Sequence, residues 1–67
     1  MSEILVNGTA RAVAAGTTVE DVVRSLLATA EGCAAAVNDV VVPRREWADR
    51  AVEAGDRVEV LTAVQGG

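Results

Sequence analysis

Lysine, histidine, tyrosine and phenylalanine are missing from this 67-residue chain, and cysteine, proline and tryptophan occur once each. Without histidine, lysine or tyrosine the usual general bases, imidazole metal ligands and proton shuttles are gone. All six cations are arginines, so no side-chain amine can accept an isopeptide bond or form a Schiff base. The lone Cys33 forbids an intrachain disulfide and suits a reducing compartment. No apolar run approaches the 18 or so residues of a membrane span, and Met1-Ser2-Glu3 leads into strand-like sequence rather than a secretory leader. Those features predict a cytoplasmic protein with no membrane partner. Six cations against ten acids leave a formal charge of −4, which argues against nucleic acid and fits a partner with a basic docking rim. A chain this short makes one domain that buries only about 60% of its unfolded surface. Its carboxylates are scattered, and a chain this short can barely wall a pocket. An autonomous enzyme is therefore not expected, and the chain should carry no catalytic residue, no metal and no bound cofactor.

What is present alternates between strand and helix signals. Glu3–Asn7 reads as a strand, Asn7-Gly8 is the strongest short hairpin signal, and Ala10–Ala14 reads as the returning strand. Ile4 and Val6 are assigned inward and Leu5 outward. Thr17 with Glu20, or Thr18 with Asp21, has the spacing of a capping box. The apolar stripe Val19, Val22, Val23, Leu26, Leu27 and Ala30 then predicts a helix that stops at Gly32. Glu20 and Arg24 form an i, i+4 pair on its other face.

Cys33–Asn38 is poor in propensity but is bounded by turn residues and spaced by two at Ala35 and Val37, which predicts a strand. Val40–Val42, running into Pro43, is a short strand, and the missing N–H of Pro43 puts it at an edge or an end. Residues 44–52 predict a turn of helix or 3₁₀ structure; Trp47, the sole aromatic, reads mainly as a core cap and secondarily as a partner anchor. Arg44-Arg45 reads as solvated. Arg57–Thr62 is the clearest alternating strand, with Val58 and Val60 inward and Glu59 and Leu61 outward. One helix is available to cover the sheet, so the other face meets water or a partner. The fold class is α+β: a ubiquitin-like β-grasp, with a mixed sheet packed on one main helix. Leu5 and Leu61 are expected on the uncovered face with Ala36 nearby, as a docking patch.

The chain closes on Ala63, Val64, Gln65, Gly66 and Gly67, a stretch without charge. Packing gains nothing from terminal glycines, which carry the largest backbone entropy and no side chain. They supply thinness, for threading a channel and presenting an unhindered terminal carboxylate. Two terminal glycines arise by chance in about one chain in two hundred. The predicted organisation is one β-grasp domain over residues 1–67, with 63–67 as a flexible functional tail. Fully extended, five residues reach about 17 Å.

The segments Val6-Asn7-Gly8, Thr18-Val19-Glu20-Asp21-Val22-Val23, Ala36-Val37-Asn38, Val42-Pro43-Arg44 with Trp47 beyond, Gly55-Asp56 and Ala63-Val64-Gln65-Gly66-Gly67 resemble the ThiS family, the small sulfur carriers of thiamin thiazole biosynthesis. The resemblance runs nearly end to end. It departs at the alanines of the third strand, where larger aliphatics are common, and at Gln65. It implies that a ThiF-like, E1-like adenylating enzyme uses ATP to activate Gly67. A persulfide donor then supplies sulfur, and a ThiG-like thiazole synthase accepts it from the resulting thiocarboxylate. The carrier itself would be a monomer and a co-substrate of these enzymes. The tail alone leaves two alternatives open. One is a MoaD-like carrier for molybdopterin or another sulfur pathway. The other is a β-grasp interaction module or protein modifier without sulfur chemistry.

Overall fold

The alternating residues of Arg57–Thr62 set the centre of the sheet. In the computed structural model, which describes residues 1–27 and 32–62, that strand is flanked on both sides. Five strands form one sheet: β1 (Ser2–Val6), β2 (Thr9–Val13), β3 (Cys33–Val37), β4 (Val40–Val42) and β5 (Arg57–Thr62), in the order β2-β1-β5-β3-β4. β5 runs parallel to β1 and antiparallel to β3, while β2 and β4 close the two edges as antiparallel hairpin partners. The mixed sheet holding one helix is the β-grasp arrangement expected from the order of elements.

Both hairpins turn on two residues in the left-handed region: Asn7 (φ 51°) with Gly8 (φ 86°), and Asn38 (φ 52°) with Asp39 (φ 73°). Two-residue hairpin loops of type I′ require this at both positions, and Asn, Asp and Gly tolerate it best. Strand bounds differ from expectation by at most a residue or two, as fraying ends do. Pro43 follows edge strand β4 directly, where its missing N–H removes no ladder bond.

Helix α1 (Val19–Leu26) starts at the second of the two candidate capping boxes. The Thr18 hydroxyl accepts from the Asp21 N–H at 3.2 Å, and the Asp21 carboxylate accepts from the Thr18 N–H at 3.0 Å. Glu20 and Arg24 pair at 2.8 Å on the solvent side. The helix ends earlier than its apolar stripe predicts. Leu27 is extended (φ −127°, ψ 145°), although its N–H still reaches the Val23 carbonyl, and Gly32 begins the approach to β3 instead of ending the helix. Two β-branched valines and Ser25, whose hydroxyl donates to the Val22 carbonyl at 2.7 Å, make a weak last turn. Leu26 and Leu27 are nevertheless half-buried against the core, so burial is kept after helical geometry is lost. Ala30, the last member of the stripe, lies outside the described residues.

Val19 and Val23 of α1 pack with Ile4, Val6, Ala35, Val37, Val58 and Val60 from the covered sheet face. The segment after β4 closes one end. It contains a 3₁₀ turn at Arg44–Glu46 and is tied to the helix start by Val19 N–H to the Arg50 carbonyl and Val52 N–H to the Thr17 carbonyl. Trp47 seals that end: it is 2% exposed, and its indole N–H donates to the Val42 carbonyl at 2.8 Å. Arg44 lies over the ring, 5.6 Å from its centroid. So buried an indole presents no face to a partner, which removes the anchor reading. Arg44 and Arg45 are exposed, as a solvated pair should be.

Candidate functional site

The uncovered face is fixed by strand parity. With Val58 and Val60 inside, β5 turns Arg57, Glu59 and Leu61 outward; with Ala35 and Val37 inside, β3 turns out Ala34 and Ala36. Register then decides which of them meet. Leu61 is opposite Ala34, Glu59 is opposite Ala36, and Ala36 is opposite Val41 of β4. Leu61 and Val41 are 68% and 69% exposed, with small alanines between them. Side chains this short leave a shallow apolar floor from β5 to the β4 edge.

The expected docking residues all lie on this face, but they do not form a single cluster. Ala36 is diagonal to Leu61 and half-buried. Leu5, 39% exposed, is level with Arg57, four residues before Leu61 and about 13 Å away along the strand. Arg57 stands beside Leu5, and Glu59 lies between that level and Leu61. The face therefore holds two apolar spots separated by charge. Ala34 and Val41 belong to the larger spot and were missed by residue-level reading; counting outward parity from Ala35 and Val42 finds both.

The rim is mainly acidic, with Glu3 and Glu59 on the face and Asp39 at the β3–β4 turn. Asp39 accepts from the Arg57 guanidinium at 2.9 Å. That hydrogen bond and the carboxylate charge raise the arginine's pKa above its ordinary value. Both groups are largely exposed, and the pair orients a rim charge more than it stabilises the fold.

β5 leads directly into residues 63–67. Ala63, Val64, Gln65, Gly66 and Gly67, the expected tail, lie outside the described residues. At the root of that segment Thr62 is paired with Cys33. A cavity of about 220 Å³ there is lined by Gly32, Cys33, Ala34, Leu61 and Thr62. Cys33 is half-buried against the core, as a small apolar side chain would be. A larger cavity of about 370 Å³ lies between α1 and β2, lined by residues such as Arg11, Val13 and Asp21. It opens on the helix side and touches neither Leu61 nor Thr62, so its size does not make it the site. Among the described residues, the uncovered face is a shallow apolar floor with an acidic rim.

A family model described as the ThiS family matches residues 4–67. The sulfur carrier protein ThiS of Escherichia coli (strain K12) is 37% identical over 65 residues, covering 97% of this chain and 98% of that protein. Among solved structures, the crystal structure of the thiamine biosynthesis protein (ThiS) from Geobacter metallireducens is similar with a TM-score of 0.80 and 31% identity. That alignment covers 97% of this chain and 99% of the other. An NMR solution structure of a thiamine biosynthesis protein from the same organism gives a TM-score of 0.73 at 28% identity, covering 97% and 86%.

Proposed function

The chain belongs to the ThiS family, and from that premise we propose that it is a sulfur carrier of thiamin biosynthesis whose working group is the Gly67 carboxylate. The observation that carries the reading is the reach of the family match, which takes in the body and continues to Gly67. A carboxylate is an anion at neutral pH and a poor electrophile. Transfer of an adenylyl group from ATP, with release of pyrophosphate, removes that charge and installs AMP as leaving group. Sulfur then adds to the acyl carbon, AMP departs, and the C-terminus is a thiocarboxylate. Its sulfur is a nucleophile on a tether, available to a thiazole synthase.

Each part of the chain has a share in this. The open face docks the body on a ThiF-like adenylating enzyme and afterwards on a ThiG-like synthase, with Leu61, Ala36 and Leu5 in contact. The uncharged residues Ala63, Val64, Gln65 and Gly66 thread into the partner's site. ATP is the adenylating enzyme's substrate. A persulfide supplies the sulfur: its terminal sulfur displaces AMP to give an acyl disulfide, and a second thiol then attacks the donor's sulfur, releasing the thiocarboxylate and leaving a disulfide on the donor. The carrier is consumed and regenerated as a monomeric cytoplasmic co-substrate.

Incubation with the adenylating enzyme, ATP and sulfide tests the reading by intact mass. Exchange of one oxygen for sulfur is expected in the whole chain and in Cys33→Ala, and no exchange once Gly67 is deleted. Sulfur acquired equally by the deletion variant would overturn the assignment to Gly67. A thiocarboxylate that thiazole synthase does not consume would move the carrier to another sulfur pathway.

A further inference from the structure

Asn7 was accounted for above by its turn, but its side chain has a second task. Backbone pairing between β1 and β5 covers only Leu5 with Arg57 and Val6 with Val58, because the chain then turns away into the hairpin. Past that point the Asn7 N–H donates to the Val58 carbonyl at 2.9 Å. Its side-chain amide then substitutes for the missing strand. Oδ1 accepts from the Val60 N–H at 2.8 Å and Nδ2 donates to the Val60 carbonyl at 3.3 Å. Val60 is 7% exposed, so without Asn7 a buried donor and acceptor would lack partners on that side. The last stretch of β5 is therefore held by β3 on one flank and by one asparagine on the other.

The same strand is clamped at its beginning by Asn38, the first residue of the other hairpin turn. Its N–H donates to the Arg57 carbonyl at 2.8 Å, and its Oδ1 accepts from the Arg57 N–H at 2.9 Å. The two clamps are alike in residue type and backbone conformation, but Asn38 bonds only Arg57 of β5 and gives its Nδ2 to the Asp56 carboxylate at 3.0 Å, and they sit towards opposite ends of the strand. Asn7 bonds Val60, two residues before β5 ends at Thr62 and residues 63–67 continue.

We propose that Asn7 is a positioning residue for carrier activation: its amide fixes the end of β5, and with it the origin of the tail relative to the docking face at Leu61. The inference rests on the carrier reading above. Loss of the clamp leaves the docking surface present but lets the tail start from a wandering base, which lowers the fraction of docked complexes with the carboxylate in place. Since reaction geometry is demanding, the deficit falls on turnover within the complex. A merely structural loss acts differently. It lowers the folded fraction, which saturating partner restores, and so raises KM without changing kcat.

The experiment compares Asn7→Gly and Asn38→Gly with wild type in steady-state adenylation by the ThiF-like enzyme, alongside thermal melts. Glycine accepts the left-handed φ at both sites, so each turn survives and only a clamp is removed. Asn7→Gly is expected to lower kcat about tenfold with KM within about twofold, and Asn38→Gly to melt earlier by a similar amount with kcat unchanged. Asn7→Asp retains the acceptor for Val60 N–H and loses the donor, so its kcat should fall between wild type and Asn7→Gly. Equal kcat for all variants, a loss carried in KM alone, or an identical kcat loss in Asn38→Gly would overturn the inference. Failure of the wild-type chain to be adenylated would instead remove the carrier reading, and this inference with it.

Discussion

Replacing Leu61 by arginine separates docking from folding. Leu61 is 68% exposed, so about a third of it is buried by the fold and two-thirds face solvent, available to a docked partner on the proposed reading. Full burial of a leucine contributes about 1.5–3 kcal/mol, which assigns about 1–2 kcal/mol to the partner and about 0.5–1 kcal/mol to the fold. The first share corresponds to about a five- to thirtyfold loss of affinity at 1.4 kcal/mol per decade. A guanidinium facing an apolar surface would deepen that loss. The second share is partly restored by the arginine stem lying along Ala34, so the melting temperature should fall by less than about 4–8 °C. Val60→Ala is the control on the same strand: Val60 faces the core, and its truncation should remove about 2 kcal/mol of stability while leaving the open face intact. Titration calorimetry with the adenylating enzyme and scanning calorimetry of the free variants measure both quantities. Unchanged affinity for Leu61→Arg with a collapsed melt would refute the reasoning and make Leu61 part of the core.

Trp47→Phe keeps an aromatic ring but leaves the Val42 carbonyl without its donor; about 1–3 kcal/mol should be lost in urea unfolding, with partner affinity unchanged. Gly66→Ala and Gly67→Ala should melt as wild type does, because chain ends contribute little to global stability. Both should be poor substrates, since a Cβ must fit a passage shaped for bare backbone and small displacements at the reacting carbonyl can lower rate about 100-fold. Full-rate activation of both would show the glycines to be incidental.

Much of the body was legible because several local signals agreed. The i, i+3, i+4 valines, the Thr18–Asp21 spacing and the alternation of Arg57–Thr62 each point to one element and one face, and all three appear in the fold. Even the alanine-rich β3, with little propensity of its own, was bounded correctly by Gly32 and Asn38. The helix end was not legible. An apolar stripe reports which residues are buried, and Leu27 is half-buried in an extended conformation as readily as in a helical one. The site was legible by face but not by neighbourhood. Parity alone puts Leu5 and Leu61 on the same side, whereas their separation depends on the parallel register of β1 with β5, which no short-range signal encodes. The Asn7 side chain was hidden for another reason: its turn already explained the residue type, and its partner Val60 is 53 positions away.

β5 makes the parts interdependent. Its inward residues Val58 and Val60 lie in the core, its outward residue Leu61 lies on the uncovered face, and its end is the start of residues 63–67. Residues 63–67 follow a strand in the middle of the sheet, paired with β3 through Thr62 and bonded by the Asn7 side chain at Val60. In a domain with one helix and few large side chains, placing the root in the middle of the sheet gives a small body a firm base. Damage to the core at Val58 or Val60 should therefore reach the tail, whereas damage at Leu61 should reach the partner first.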